Sequence, residues 1–159
     1  MRFSRIIRLF TRMTFTEIRL FLETFFILGL ARFLIALPFS RISTFLGKHM
    51  DETPLNSNLS SVQIQQVKNI RHAIEIASKY TPWESKCLVK AITAMSMLKR
   101  RGIESTLYLG TAKEEGGLIA HAWLRSGDFY VTGADVMKKF TVVAKFAKKN
   151  GGELYGRNI

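Results

Sequence analysis

The sequence is poor in the residue types that build cross-links and metal sites. Cys87 is the sole cysteine among 159 residues, so an internal disulfide and a four-thiolate zinc site are both excluded. The three histidines, His49, His72 and His121, lie far apart and lack a supporting carboxylate motif. The sequence therefore predicts no metal and no cofactor. A chain without paired cysteines is expected in a reducing, cytoplasmic location.

Acidic residues are also scarce. The chain has 12 Asp and Glu against 24 Lys and Arg, which gives a formal net charge of +12. Such a charge predicts an anionic partner, either nucleic acid, an acidic membrane face or an acidic polypeptide. The cations are spread over both halves of the chain without an aromatic-interleaved stripe, so nucleic acid is not expected. A non-enzymatic basic protein that binds a membrane surface is an alternative to an enzyme.

A long uncharged hydrophobic run is missing as well. The apolar stretch FFILGLARFLIALPF, residues 25–39, has Arg32 near its middle and is shorter than the about 20 residues that span a bilayer. Residues 1–50 carry eight basic residues against two acidic ones. This pattern predicts an amphipathic, cation-rich hairpin that ends near Pro38. It is expected to lie either on a membrane surface, at the inner face, or on the rest of the protein.

Turn-forming residues divide the chain into segments. The polar stretch DETPLNSNLSS, residues 51–61, predicts a linker between the segment 1–50 and a domain over residues 62–149. Residues 150–159 are expected to form a flexible tail. Within the domain, Ser61 is expected to cap a first helix that carries apolar residues at helical spacing.

A second helix is predicted over residues 82–101, which include Cys87. Its start signals are a capping hydroxyl, a proline and a capping-box carboxylate, supplied by Thr81, Pro82 and Glu84, with Ser85 as a rival cap. From Ile103 the hydrophobic period changes to two. Strands are therefore predicted over 105–112, 117–125, 129–133 and 140–146, with a loop at 113–117. Helices followed by antiparallel strands predict an α+β fold.

Cys87 is the candidate nucleophile. It lies near the start of its predicted helix, where unpaired backbone amides and the helix dipole favour the thiolate that attacks carbonyl carbon. Lys86 adds a positive charge next to it. His121 lies on a predicted strand and is the candidate general base. The alternatives are a buried structural cysteine and a hydrogen-bonded structural histidine.

A third group is needed to orient the imidazole through its second ring nitrogen. If the hairpin turns at Ser126–Gly127, Thr132 is expected opposite His121 on the next strand. Asp135 follows three residues later, at the end of that strand, and is the preferred candidate. Asp128 in the turn, Thr132 and a backbone carbonyl are the alternatives.

Six short motifs occur in a fixed order over about residues 80–146: W-x-x-x-C-L-x-x-A, M-L-x-R-x-G-I, L-Y-L-G, A-H-A-W-L-R, V-T-G and F-T-V-V-A-x-F. Each motif is weak alone, but their order and spacing together resemble the lasso peptide biosynthesis B2 proteins. These are transglutaminase-like leader peptidases of the microcin J25-processing type. The basic and apolar N-terminal segment also resembles the corresponding part of that family.

The resemblance implies a transglutaminase-like or papain-like cysteine peptidase core, in which a nucleophile helix packs on an antiparallel sheet. It implies a triad carried by Cys87, His121 and Asp135, although Gly133 stands at about the place of the family's acidic member. It also implies removal of the leader from a ribosomally made precursor. The implied partners are that precursor, a separate PqqD-like leader-recognition protein and a lasso cyclase. An acyl transferase of the same fold is the alternative reaction.

Overall fold

A computed structural model describes residues 13–150 of the chain. The helices in this range are α1 (Phe15–Leu34), α2 (Phe39–Leu46), α3 (Ser61–Ala77) and α4 (Cys87–Lys99). The strands are β1 (Lys48–His49), β2 (Ser105–Glu114), β3 (Gly117–Ser126), β4 (Phe129–Thr132) and β5 (Thr141–Lys148), with a 3₁₀ turn at Met137–Lys139. The predicted α+β fold is confirmed. The predicted tail lies outside the described residues, except for Asn150.

The strands form one antiparallel sheet in the order β1-β5-β2-β3-β4. The predicted hairpin of β3 and β4 is present, and Gly127 takes a positive φ of 57° in its turn. A bulge on β4 then pairs Thr132 with Leu124. The expectation that Thr132 lies opposite His121 is therefore wrong. Ser126 pairs with Phe129, so the turn lies at Gly127–Asp128, which shifts the pairing by two residues, and the extra residue of the bulge shifts it by one more.

The helix α3 begins one residue earlier than predicted. Its cap is Ser60, whose side chain accepts a hydrogen bond from the Gln63 amide at 3.2 Å, while the Gln63 side chain accepts from the Ser60 amide at 3.0 Å. This reciprocal pair is a capping box. Ser61 is thus the first helical residue and not the cap, because the glutamine lies three positions after Ser60.

One hydrophobic core lies between the helices and one face of the sheet. The helices contribute Leu28, Ile74, Val89, Met97 and Leu98 among others, and the strands contribute Leu107, Ala122, Leu124, Val131 and Phe146. One side of α1 belongs to this core. Packing on the rest of the protein is one of the two arrangements that the sequence predicts for the N-terminal segment.

The opposite face of the sheet is tied to the linker by a buried arginine. Arg125 is only 1% exposed. Its guanidinium donates hydrogen bonds to the Glu52 carboxylate at 3.0 Å, the Thr53 carbonyl at 2.8 Å, the Tyr108 hydroxyl at 2.9 Å and the Gly127 carbonyl at 2.6 Å. We call the contact of Arg125 with Glu52 and Thr53 the linker latch. It fixes the segment between α2 and α3 on the sheet.

Two further side chains donate hydrogen bonds to the Glu52 carboxylate of the linker latch. The Tyr108 hydroxyl donates to Glu52, and the Lys145 ammonium donates to the same carboxylate at 2.9 Å. The hydrogen bond from Tyr108, followed by those from Lys145 and Arg125, lowers the pKa of Glu52 to about 2. Burial, together with the carboxylate, raises the pKa of Tyr108 to about 12. At neutral pH the Glu52 carboxylate is therefore ionised, and the Tyr108 phenol that donates to it is protonated.

Candidate active site

The candidate nucleophile is the first residue of its helix. Helix α4 begins at Cys87, and Lys86 is its N-cap. The predicted start at Pro82 is therefore wrong by five residues. The Thr81 hydroxyl does not cap α4, because it is engaged by the Ser85 hydroxyl at 3.0 Å and donates toward the carbonyl oxygens of Ser78 and Trp83.

Residues 81–86 instead form a connection that packs on α1. The Trp83 ring lies 5.2 Å from the ring of Phe25 and touches the position that a side chain on Gly29 would occupy. Trp83 thereby anchors the connection on α1. Because Trp83 is held on α1, helix α4 begins only at Cys87.

Within residues 13–150, the first turn of α4 keeps its backbone donors unpaired. Its N-cap residue, Lys86, makes no side-chain capping hydrogen bond, whereas α1 and α3 both carry complete capping boxes. The amide of Lys90 is the first to pair within the helix, to the Lys86 carbonyl at 3.1 Å. The amides of Cys87, Leu88 and Val89 therefore have no partner within the helix. They are available to a developing negative charge beside the sulfur.

The positive charge of Lys86 favours a negative charge on the Cys87 sulfur less than the sequence suggests. Lys86 pairs with Glu84 at 3.3 Å, and both side chains are largely exposed. An exposed pair of this kind contributes about 1 kcal/mol or less. Cys87 itself is half-buried, is not in a disulfide and packs against the hydrophobic core.

The imidazole of His121 is held in a defined orientation on β3. Its Nε2 lies 2.9 Å from the Gly133 carbonyl oxygen. A carbonyl only accepts, so Nε2 carries the hydrogen, and in the neutral ring Nδ1 keeps the lone pair. The rings of Trp123 at 5.9 Å and Phe140 at 5.1 Å flank the imidazole. A backbone carbonyl was one of the alternatives for orienting the ring.

Gly133 is the residue that makes this hydrogen bond sterically accessible. Its φ is +72°, in the left-handed region that side chains disfavour. A Cβ placed on Gly133 would lie 2.6 Å from the Ala122 carbonyl oxygen and 2.9 Å from Nε2 of His121. Both the backbone conformation and the available space therefore require glycine.

Gly133→Ala is expected to destabilise the fold by about 2–4 kcal/mol and to release the imidazole of His121. The matched control is Gly102→Ala, because Gly102 also has a positive φ of 64° but a Cβ placed on it would meet no atom within 4 Å. The control is expected to lose only about 1–2 kcal/mol through backbone strain. Thermal unfolding measures the difference, and the NMR signal of the Nε2 proton reports the hydrogen bond. Equal losses in both variants, with that proton unchanged, would show that Gly133 does not position His121.

The acidic candidates lie apart from the imidazole. Asp135 is exposed and lines a cleft of about 360 Å³ between α3, α4 and β4, together with Arg71, Glu75 and Lys90. Asp128 is exposed in the turn between β3 and β4, at the far end of β3 from His121. Among residues 13–150, neither aspartate is hydrogen-bonded to the imidazole, whose Nε2 is already paired. The role of Asp135 in a triad stays a prediction.

From the lengths of α4 and β2 we infer that Cys87 and His121 lie toward the same end of the helix–sheet layer. The amide of Ile103 bonds to the Leu98 carbonyl at 3.0 Å, so the last turn of α4 lies beside the start of β2. From there α4 runs back over the sheet for about 18 Å. In the same direction β2 reaches Gly110 after about 17 Å, and Gly110 pairs with His121.

The two side chains nevertheless lie on opposite sides of the sheet. His121 shares its face with Trp123 and Tyr108, whose rings are stacked at 5.6 Å. Ala122, on the other face, belongs to the core against which Cys87 packs. In the part of the chain that the structure describes, no hydrogen bond joins the thiol to the imidazole. Contact between sulfur and imidazole therefore stays a prediction.

Comparison with known proteins agrees with this architecture. Residues 33–145 match the Transglutaminase-like superfamily, and this range covers more than half of the chain, including Cys87 and His121. The chain therefore belongs to the Transglutaminase-like superfamily. A search of curated proteins and a search of solved structures each give no match. The family suggests cysteine protease or acyltransferase chemistry.

Two positioning features were missed at the level of sequence. Phe140 has the pattern of an ordinary apolar strand residue, yet its ring flanks His121. Gly110 pairs with His121, and a Cβ there would lie 2.8 Å from the Trp123 ring. The glycine of the L-Y-L-G motif was the available signal, because it stands within a predicted strand where a side chain would ordinarily be favoured.

Proposed function

We propose that this chain is a cysteine protease that removes the leader peptide from a ribosomally synthesised lasso peptide precursor. The observation that carries the proposal is the position of Cys87, which opens an uncapped helix packed on the sheet of a transglutaminase-like domain. The motifs over residues 80–146 support the choice of substrate through their resemblance to the B2 proteins. Cys87 acts as nucleophile and His121 as general base.

The proposed reaction has two covalent steps. The reaction requires that the imidazole of His121 reaches the thiol when the substrate binds, since the two side chains lie on different faces of the sheet. The Cys87 sulfur then attacks the carbonyl carbon between leader and core while His121 takes the thiol proton. The carbon–nitrogen bond breaks as His121 returns a proton to the departing amine of the core peptide. Water, activated by the same imidazole, then hydrolyses the thioester and releases the leader with a free carboxylate. The unpaired first-turn amides of α4 can hold the oxyanion that forms in both steps.

The tautomer of His121 supports its role as base. With the hydrogen on Nε2, the lone pair on Nδ1 is the proton acceptor. When the ring becomes positively charged, the Gly133 carbonyl continues to accept from Nε2 and so stabilises the imidazolium. The carbonyl can therefore perform the orienting role that the resemblance gives to Asp135.

The surroundings offer a route for an extended peptide. The cleft between α3, α4 and β4 is lined by Lys90, one turn after Cys87, and by the segment that follows β4. Neither Cys87 nor His121 lines this cleft, so a substrate would cross the first turn of α4 beyond it. We propose that the precursor is presented there by a separate PqqD-like recognition protein and that the released core passes to a lasso cyclase.

Isotope labelling during cleavage tests this function against the acyl transferase alternative. The full chain is incubated in H₂¹⁸O with the precursor peptide and the recognition protein encoded beside it, and the products are analysed by mass spectrometry. We expect a free core peptide and a leader whose new carboxylate carries one ¹⁸O atom.

A leader released as an amide of another amine, without ¹⁸O, would assign the chain to acyl transfer. An intact precursor in the presence of every partner would contradict both reactions. A thioester between the leader and Cys87, trapped by acid quenching, is the expected intermediate of either reaction and locates the reacting residue.

A further inference from the structure

Helix α1 is apolar on two sides, and one of them has no cover within the described chain. Its inner side packs in the core through Phe21, Leu28 and Ala31. A second line of exposed residues follows the outer side at spacings of three and four: Phe15, Arg19, Leu22, Phe26, Leu30, Phe33 and, just after the helix, Leu37. We call this line the α1 stripe. Helical spacing places its members on one surface.

The α1 stripe is exposed to an unusual degree for large apolar side chains. Phe15 is 81% exposed, Phe26 67% and Phe33 80%. Phe45 in α2 adds a further exposed ring, so the apolar surface continues beyond α1. Contiguous exposed apolar surface of this kind marks an interaction site. None of the helices within residues 13–150 is both long enough and apolar enough to cross a bilayer.

The partner is indicated by the charges within the α1 stripe and beside it. Arg19, Arg32 and Arg41 are exposed along α1 and α2. Of the two acidic residues of α1, Glu23 pairs with Arg101 at 2.7 Å, while Glu17 bonds to neutral groups of Thr14 and keeps its negative charge. The three arginines outnumber this one carboxylate, so the balance of these charges is positive. Apolar side chains flanked by arginine match the boundary of a bilayer that contains anionic lipids.

A second copy of the chain fits this surface less well. Pairing of two α1 stripes would bury Arg19, which lies within the line, and would bring like charges together in either orientation. We infer that the α1 stripe is a docking surface for an anionic lipid bilayer, on which Phe15, Phe26 and Phe33 enter the headgroup boundary while the flanking arginines contact lipid phosphates. This surface is distinct from the candidate active site and adds a membrane location to the proposed function.

Vesicle co-sedimentation of the full chain tests the inference. The probes are phosphatidylcholine vesicles and the same vesicles with about one quarter phosphatidylglycerol. We expect binding to the anionic vesicles and a weaker partition onto the neutral ones. Phe26→Ser/Phe33→Ser should lower the partition coefficient by about 10-fold or more. Arg19→Gln/Arg32→Gln should lower it by about 10-fold on anionic vesicles alone.

The matched control removes exposed apolar side chains elsewhere. Leu118 is 76% exposed and Val62 is 65% exposed, so Leu118→Ser/Val62→Ser should bind vesicles like the wild type. Thermal unfolding and size-exclusion profiles confirm that every variant is folded. The inference is overturned if the wild type stays in solution with both vesicles, or if the phenylalanine variant still sediments. A wild-type dimer that the phenylalanine variant converts to monomer would assign the stripe to a second copy instead.

Discussion

Cys87→Ala is expected to abolish precursor processing, with a loss of more than about 10³-fold in rate, since removing the nucleophile of a cysteine or serine protease leaves only binding effects. The fold should be retained, because alanine fills most of the volume of a half-buried cysteine at the first position of a helix. Quantitative mass spectrometry of the leader over time measures the rate. Ser85→Ala, which removes a hydroxyl two residues away, is the matched control and should process normally.

The variant His121→Ala tests whether Cys87 and His121 form a catalytic pair or whether the thiol is independent of the imidazole. If sulfur and imidazole meet, the imidazole promotes the thiolate, so the variant should lose processing and should also slow the reaction of Cys87 with iodoacetamide at about pH 6. This alkylation needs no substrate and therefore probes the pair directly. Leader release by Cys87→Ala at the wild-type rate, or unchanged alkylation in His121→Ala, would contradict the assignment of this pair.

Replacement of Arg125 by methionine is expected to have the largest effect on stability. The guanidinium places all its hydrogen-bond donors within the fold, toward a carboxylate, a phenol and three carbonyls, the last including Pro54. Methionine fills a similar volume but leaves the carbonyls of Thr53, Pro54 and Gly127 without this donor, while Glu52 keeps its bonds from Tyr108 and Lys145. Breaking such a network costs about 3–5 kcal/mol. The melting temperature should fall by about 10 °C in a chain of this size.

The control for Arg125 is an arginine whose ion pair is exposed. Arg71 pairs with Glu75 at 3.1 Å, and both side chains are more than half exposed. Arg71→Met should therefore change stability by about 0.5 kcal/mol or less. Urea or thermal unfolding of both variants compares the two sites. If Arg125→Met melts with the wild type, the linker latch does not stabilise the fold.

The sequence predicted the periodic elements well and their ends poorly. The strands from 105 onward follow an alternation that a half-buried sheet requires, and the turn at Gly127 follows from its residue types. The start of α4 was misplaced because Thr81, Pro82 and Glu84 form a valid local start signal. Tertiary contacts override it, since Trp83 packs on α1 and Thr81 is engaged with Ser85 and two carbonyls.

The candidate site was likewise predictable only in part. A single cysteine near a helix start and a histidine on a strand can be recognised from residue types and spacing. The partner of His121 is a backbone carbonyl, which every residue possesses and which no sequence pattern singles out. Its approach depends on the bulge after Leu124 and on the positive φ of Gly133. Neither feature has a periodic signature, so residue types alone point to a carboxylate such as Asp135, whose role in a triad stays a prediction.

The solitary thiol at the start of α4 also makes this protein convenient for spectroscopy. A maleimide dye or nitroxide attaches at one residue without mutagenesis of other cysteines, so every signal comes from a known place in the chain. The same adduct blocks the sulfur, which yields a chemically silenced form of the proposed protease with its native sequence elsewhere. Such a reagent would report the arrival of a peptide or a protein partner beside the helix without consuming it.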